Sequence, residues 1–409
     1  MITMTDQADD TKHSAILGGI RVADLTTGSF NYAGRLLAGL GAEVIKLETL
    51  DGDPLRHWGP FRNDKENVET GGRHLHLDAG KRSVSVDLET SEGQSIVKDI
   101  ITDCDIVLES FAPGYLDTIG LSFESLASSK TDLIMVSMSH FGQSGPYKDY
   151  HGSEIVDVAI GGYLRLTGEP DREPVKPYDD LVIQHTSLHA ATAAMVGIMH
   201  RDNTGEGDWF DVAAIDAALF LIGGPTQSYF FDGKVAQRNG NRLLFTEPRY
   251  LYPSTIRPCL DGYVHAHGNN RNQDLLAALM PGIGLETLFE TPMGNADEID
   301  EIMDTWLSTR DKFEVVTLAQ ELRLPFTEVL TPEEILADPH LEERNFLVNL
   351  DHPLEPGLLQ PGHAALMSET PWINRRAPLI GEDTDEILEE LLGMNADERT
   401  QLRNKGVIR

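Results

Sequence analysis

The sequence predicts an α/β protein, a doubly wound parallel sheet followed by a smaller second domain. Three observations predict it. Apolar strand-like runs alternate with helical stretches from Gly19 to Met138. Beyond about Tyr229 the texture shifts to scattered aromatics and short strands. The 409 residues, 40% hydrophobic and 24% charged, suffice for two domains and a substantial core.

The elements follow in order. GIRVADL (19–25) reads as a buried strand, Tyr32 to Leu40 as a helix closed by Gly41, and AEVIKLE (42–48) as a second strand. The pattern returns with the strand KRSVSVDL, a helix from about Ser91 to Thr102, the strand CDIVLES, a helix near Tyr115 to Ala127 and the strand DLIMVSM (132–138). After the loop FGQSGPYKDY, an amphipathic stretch runs from His185 to His200, and DWFDVAAIDAALFL passes from strand to helix. A small domain is expected over 235–335, with a strand in GYVHAHG (262–268) and helices at Ala296–Leu307 and Lys312–Leu322. The stretch 340–409, with helices at Thr384–Leu392 and Ala396–Lys405, is expected to return to the first domain, whose N-terminal part spans 18–230 behind a loose acidic tail, 1–17.

Charge narrows the function classes. Acidic residues outnumber basic ones 66 to 33, and a net charge of −33 opposes nucleic acid and anionic membranes, which call for a basic face. A phosphate-bearing ligand therefore needs a local cluster of backbone N–H groups and a few Lys or Arg. Solubility alone explains such a surface, and so does a salt-adapted host. No apolar run reaches the ~20 residues of a membrane span, and the start, MITMTDQADDTKHS, is polar where a signal peptide is basic and then apolar. The two cysteines, Cys104 and Cys259, lie far apart without metal-ligand spacing and read as buried thiols, which points to the cytoplasm.

Two alternatives lack support. The first strand-to-helix turn, LTTGSFNYAG, is not the G-x-G-x-x-G of a nicotinamide enzyme, although Glu48 stands where a ribose ligand would. His185 and His189 share a helical face, but no third metal ligand can be named, and two hydrogen-bonded histidines are the simpler reading. Neither a metal nor a nicotinamide cofactor is expected.

The segments GIRVADLTTGSFNYAGRLLAGLGAEVIKLETLDGDPLR, GKRSVSVDLETSEGQ, DIVLESFAPGYLDTIGLSFESL, SHFGQSGPYKD and RAPLIGEDTDEIL occur in this order, from about Gly18 to Leu388. Together they resemble the family III CoA-transferases, of the formyl-CoA transferase and carnitine CoA-transferase type. The resemblance implies a Rossmann-like large domain made from both chain ends, a smaller central α+β domain, and two chains interlocked as an obligate dimer. It implies acyl-CoA and a carboxylic acid as substrates, CoA being carried as a thioester with no further cofactor. By the resemblance Gly28 and Ser29 match the loop near the thioester, Lys81 and Arg82 the basic pair near the CoA phosphates, and Ser110 and Phe111 the segment against the nucleotide. Read as residues alone, Ser29 is equally a helix cap, Lys81 and Arg82 a surface pair, and Phe111 plain core.

Family chemistry needs an aspartate that attacks the thioester and then carries CoA as an aspartyl thioester. In the family it stands about 21 residues before the Thr of a Thr-Gly turn, here Thr204-Gly205, and that count falls on Ile183. Asp179 and Asp180 stand just upstream in KPYDDLVIQ, and Asp180 is the expected replacement; otherwise both are loop residues before a helix. In that case the chain resembles the aspartate-lacking subunit of the heteromeric benzylsuccinate type. A racemase branch carries Gly-His-Asp where this chain reads Gly152-Ser153-Glu154, with His151 out of place, which leaves Glu154 as a carboxylate expected beside the acyl group. Arg249, between Tyr250 and Tyr252, is a possible clamp for a second carboxylate of the acid.

Overall fold

The computed structural model describes residues 15–242, 252–268, 272–282, 284–289 and 294–409. The chain divides into two compact units, the first comprising residues up to 161 with 177–221 and 340–409, the second 162–176 with 222–339.

The first unit is built on a six-stranded sheet of β1 (Arg21–Leu25), β2 (Glu43–Glu48), β3 (Arg82–Ser85), β4 (Ile106–Glu109), β5 (Ile134–Ser139) and β6 (Asp208–Ala213). Their order is β3-β2-β1-β4-β5-β6, and every pair is parallel. That is the doubly wound order, in which the winding reverses between β1 and β4 and leaves a crevice at the carboxyl ends of those two strands. Both faces are covered, which is why the strands read as continuous apolar runs. Alternation sorts their side chains: Val22, Val44, Ile106, Ile134 and Val136 pack toward α1 (Tyr32–Gly39), while Ala23, Ile45, Val107 and Met135 pack toward α2 (Ser91–Thr102). Thr90 caps α2 by accepting from the Gly93 N–H at 3.0 Å.

The single helix expected near 115–127 is two short ones, Tyr115–Thr118 and Phe123–Ala127. Gly120, at φ 72°, turns the chain out of helix between them, and Ser122 caps the second. Further on come α3 (Glu154–Ile160), α4 (Leu181–Thr204) and α5 (Ala214–Leu221). At 24 residues α4 is long and apolar enough to cross a membrane by length and composition alone, although Gln184, His185 and His189 interrupt its apolar residues. Half of it is nevertheless buried, with Ile183, Ala190, Ala194 and Ile198 in the same core cluster as β5. The C-terminal stretch adds a hairpin (347–352 with 355–361) and helices Thr384–Leu392 and Ala396–Asn404, and Ile387, Leu388 and Ile408 pack into the α2 side of the core.

The second unit holds a three-stranded antiparallel sheet of β7 (Ser254–Cys259), β8 (Gly262–His267) and β9 (Thr327–Glu328). The helices Ala296–Leu307 and Lys312–Glu321 close its core over Val264, Ile299, Met303 and Phe326. Residues 162–176 belong to this unit, although a sequence boundary near 230 does not mark them. Cys104 is buried and Cys259 half-buried, and both are free thiols.

Candidate functional site

The crevice starts from the turn after β1. Gly28 has φ 61°, a conformation that disfavours a side chain, and its N–H donates to Asp53 Oδ1 at 3.2 Å. The Trp58 indole lies against it, so close that a Cβ at position 28 would sit 3.1 Å from the ring. Across the reversal point, Thr27 N–H donates to Ser110 Oγ at 2.8 Å. Gly28, Ser29 and Ser110 are therefore neighbours at the carboxyl ends of β1 and β4, where doubly wound sheets bind ligands. Phe111 donates its N–H to Glu109 and its ring meets Tyr115 at 4.8 Å, half-buried against the core beside the same crevice.

Asp180 also arrives here. It occupies the cap position of α4, and its Oδ2 accepts from the Ser29 hydroxyl, 151 residues away in sequence, and from Arg73 Nη1 at 2.7 Å. Arg73 reaches Asp179 as well and stands over the Trp58 ring at 5.7 Å. The Asp180 side chain is 18% exposed, accessible from the crevice yet fixed by two donors. Asp179 has φ 59°, so the chain is turned sharply just before the helix. Sequence reasoning had no means of finding Arg73 or Trp58, since neither carries a motif and only the fold brings them to Asp180.

Ile183 does not face the crevice. It is 8% exposed and packs with Ala190 and Phe30 in the core, so an aspartate at this point of α4 has no counterpart here. The expected role of Glu154 changes too. It is 5% exposed, and its two carboxylate oxygens accept from the Val182 and Ile183 N–H groups at 3.0 and 3.1 Å. It is the carboxylate that stabilises the first turn of α4, where unpaired N–H groups and the helix dipole favour negative charge.

The basic pair departs from expectation in a different way. Lys81 is a core residue: its ammonium bonds Asp24 and Asp78 at 2.8 Å each and the Asn31 carbonyl at 2.8 Å, with no exposed side-chain surface. Lys46 beside it pairs with Asp53 at 2.9 Å and donates to the Thr26 carbonyl. This buried network braces the β1 turn from below and leaves Lys81 no geometry for a phosphate. Three carboxylates around Lys46 drive its ammonium well above the ordinary lysine range despite full burial, and against its own burial Asp78 is held far below the carboxylate range by Lys81, by the His74 hydrogen bond and, behind them, by Lys46. Arg82 opens β3 and so lies at the amino end of the sheet, opposite the crevice, amid Glu43, Asp383, Glu386 and Glu390. A cavity of about 780 Å³ opens at that amino end, bordered by Arg21, Glu43, Arg82, Asp105, Arg376 and Asp383, and none of the crevice residues lines it. Glu48, the candidate ribose ligand, instead forms a two-point pair with Arg56 at 2.7 and 2.8 Å and accepts from Ser83.

A small cavity of about 100 Å³ lies beneath the β4 and β5 ends, lined by Glu109, Ser137, Gln143 and Trp209 among others. Burial pushes the Glu109 carboxyl up to about 7, although Ser137 and the Phe111 N–H bond it. His185 and His189 put their Nε2 atoms 3.1 Å apart on α4. Tyr252 is core in the second unit, its hydroxyl bonded to Asp300, so it is no wall of an acid site; Arg249 and Tyr250 lie outside the described residues.

Fold and crevice together define a doubly wound α/β protein with a carboxylate, a serine and an arginine gathered at its reversal point. The description of CoA-transferase family III matches residues 17–384. The chain belongs to that family. It is 30% identical to the succinyl-CoA:(R)-benzylsuccinate CoA-transferase subunit BbsE of Thauera aromatica over 95% of this chain and 97% of that one. It is 31% identical to the succinyl-CoA–D-citramalate CoA-transferase of Chloroflexus aurantiacus over 96% and 98%. Among solved structures, a CaiB/BaiF family protein from Brucella suis superposes with a TM-score of 0.83 at 26% identity, covering 92% of this chain and all of that one.

Proposed function

We propose that this protein transfers CoA from a succinyl-CoA-like thioester to a carboxylic acid, with Asp180 as the acceptor carboxylate. The observation that carries this reading is the Asp180–Ser29–Arg73 cluster at the β1 turn, an accessible carboxylate held where the fold binds ligands. In the reaction an Asp180 oxygen attacks the thioester carbon, the C–S bond breaks, and CoA departs as the thiolate, leaving a mixed anhydride. The thiolate then attacks the Asp180 carbonyl of the anhydride, which releases the donor acid as carboxylate and leaves an aspartyl thioester. The incoming carboxylate attacks that thioester, and the thiolate, on attacking the acyl side of the new anhydride, forms the product acyl-CoA and frees Asp180. Arg73, now bonded to Asp180, is the group positioned to hold the carboxylate's orientation between these steps.

A second reading is favoured by Ile183, a core side chain at the family's aspartate position, and by the similarity to a protein named as a subunit. In it the chain pairs with a related, aspartate-bearing chain and only completes the assembly. Either form of assembly, homodimer or heterodimer, is supported by apolar side chains left uncovered on the first unit, among them Ile155 and Ile160 on α3, Leu188 and Met199 on α4, and Phe220 on α5, the last 78% exposed. Borohydride trapping after incubation with succinyl-CoA, followed by peptide mass analysis, separates the two. A reduced residue in the Asp180 peptide, lost in Asp180→Asn, supports the first reading; a mark found only on a co-purifying chain overturns it in favour of the second.

A further inference from the structure

Crossing the end of β5, the side chains facing α4 are Ile134, Val136 and Met138, and the next in that alternation is His140. Its Nδ1 bonds Asp157 Oδ2 on α3 at 2.7 Å. Asp157 has no exposed surface, and its other oxygen is buried with no hydrogen-bond partner among the described residues. The imidazole is held from two more sides. Its ring meets Phe30 edge-on at 5.6 Å, and the Gly152 backbone presses so close that a Cβ there would fall 2.1 Å from Cγ of the ring. Phe30 directly follows Ser29, the residue that bonds Asp180, and α3 carries both Asp157 and the Glu154 that caps α4. The pair thus stands on the same face of the sheet as the Asp180 cluster and, like it, at the carboxyl ends of the strands. His140 is 25% exposed, and its Nε2 makes no hydrogen bond among the described residues.

The charge balance at this end of the sheet poses a question for an acidic substrate. Arg73 is engaged by Asp179 and Asp180, Lys46 by Asp53, and Lys81 by Asp24 and Asp78. An acyl group that ends in a second carboxylate meets mostly negative charge here unless some other group receives it. We propose that His140, oriented by Asp157, receives the distal carboxylate of a dicarboxylic acyl group and so sets the preference for diacids; this rests on the reading that the crevice takes acyl-CoA. With Asp157 at Nδ1 and a substrate carboxylate at Nε2, the ring is an imidazolium bridging two anions, each through a charge-assisted hydrogen bond. Asp157 touches no substrate and acts as a positioning residue, supplying the charge behind the ring.

The test is titration calorimetry of succinyl-CoA and butyryl-CoA, equal in chain length and differing in the terminal carboxylate, into the protein in the assembly in which it purifies. Wild type is expected to prefer succinyl-CoA. In His140→Gln, and in Asp157→Asn, which leaves the ring in place, the succinyl-to-butyryl affinity ratio falls about tenfold. A merely structural role lowers both affinities together and leaves the ratio unmoved, and that result overturns the inference while the CoA-binding reading stands. If wild type binds neither thioester, the reading of the crevice fails and the inference with it.

Discussion

At the scale of single residues, charges behave according to where the fold buries them. Lys81 and Arg82 are adjacent in sequence yet have opposite fates, one sealed among Asp24, Asp78 and Asn31 and the other set in an acidic ring at the sheet's amino end. Glu109 shows the cost of burying a carboxylate without a cation. With its carboxyl raised from the usual 4.5 to about 7, the folded protein holds a proton there that the unfolded chain has released between those pH values. The linkage sign follows: the group's contribution is fully favourable below pH 4.5, and it is lost as pH rises through 7. Glu109→Gln is therefore expected to be more stable than wild type at pH 8, by about 1–3 kcal/mol, and no more stable near pH 4.5. Urea unfolding at the two pH values measures this, and an equal effect at both would contradict it.

At the scale of elements, α4 is the helix on which the site depends, because Asp180 stands at its N-cap and there bonds Ser29. Asp180 does not cap it with its side chain; the cap comes from Glu154 on α3, through the Val182 and Ile183 N–H groups. A carboxylate at this end satisfies two donors and complements the helix dipole. Glu154→Ala is expected to cost about 1–2 kcal/mol and to speed hydrogen exchange at the amides of Val182 and Ile183 ahead of those mid-helix. Unchanged exchange at these two amides would show that another group holds the turn.

At the scale of the whole molecule, 66 acidic residues against 33 basic ones set a net charge of −33. Self-repulsion of that size opposes the compact state, and salt screens it over a Debye length that falls from roughly 30 Å at 0.01 M to about 3 Å at 1 M. The melting temperature is expected to rise with NaCl over that range, and a flat or falling curve would mean that the acidic side chains are neutralised by neighbouring cations such as Arg82 and Arg399. The uncovered apolar side chains of α3, α4 and α5 lead to a second whole-molecule measurement, the mass in light scattering, which is expected to be that of two chains.

The sequence by itself determined the elements and their winding. The helices Ser91–Thr102, Ala296–Leu307 and Thr384–Leu392 occur with the bounds their periodicity predicts, and six apolar runs become six parallel strands, because burial on both faces and helical period are local patterns. Of the site, Gly28, Ser29 and Ser110 were named only through the family resemblance; the strand-to-helix texture marks a turn there, and the fold brings the three side by side at it. The tertiary structure alone decided which charges meet. Asp180 reaches Ser29 across 151 residues and Arg73 across 107, Glu154 turns from substrate contact to helix cap, and Lys81 withdraws into the core. The physical reason is that a charged side chain's role depends on its partners and its distance from water, and both are set by which strands become neighbours.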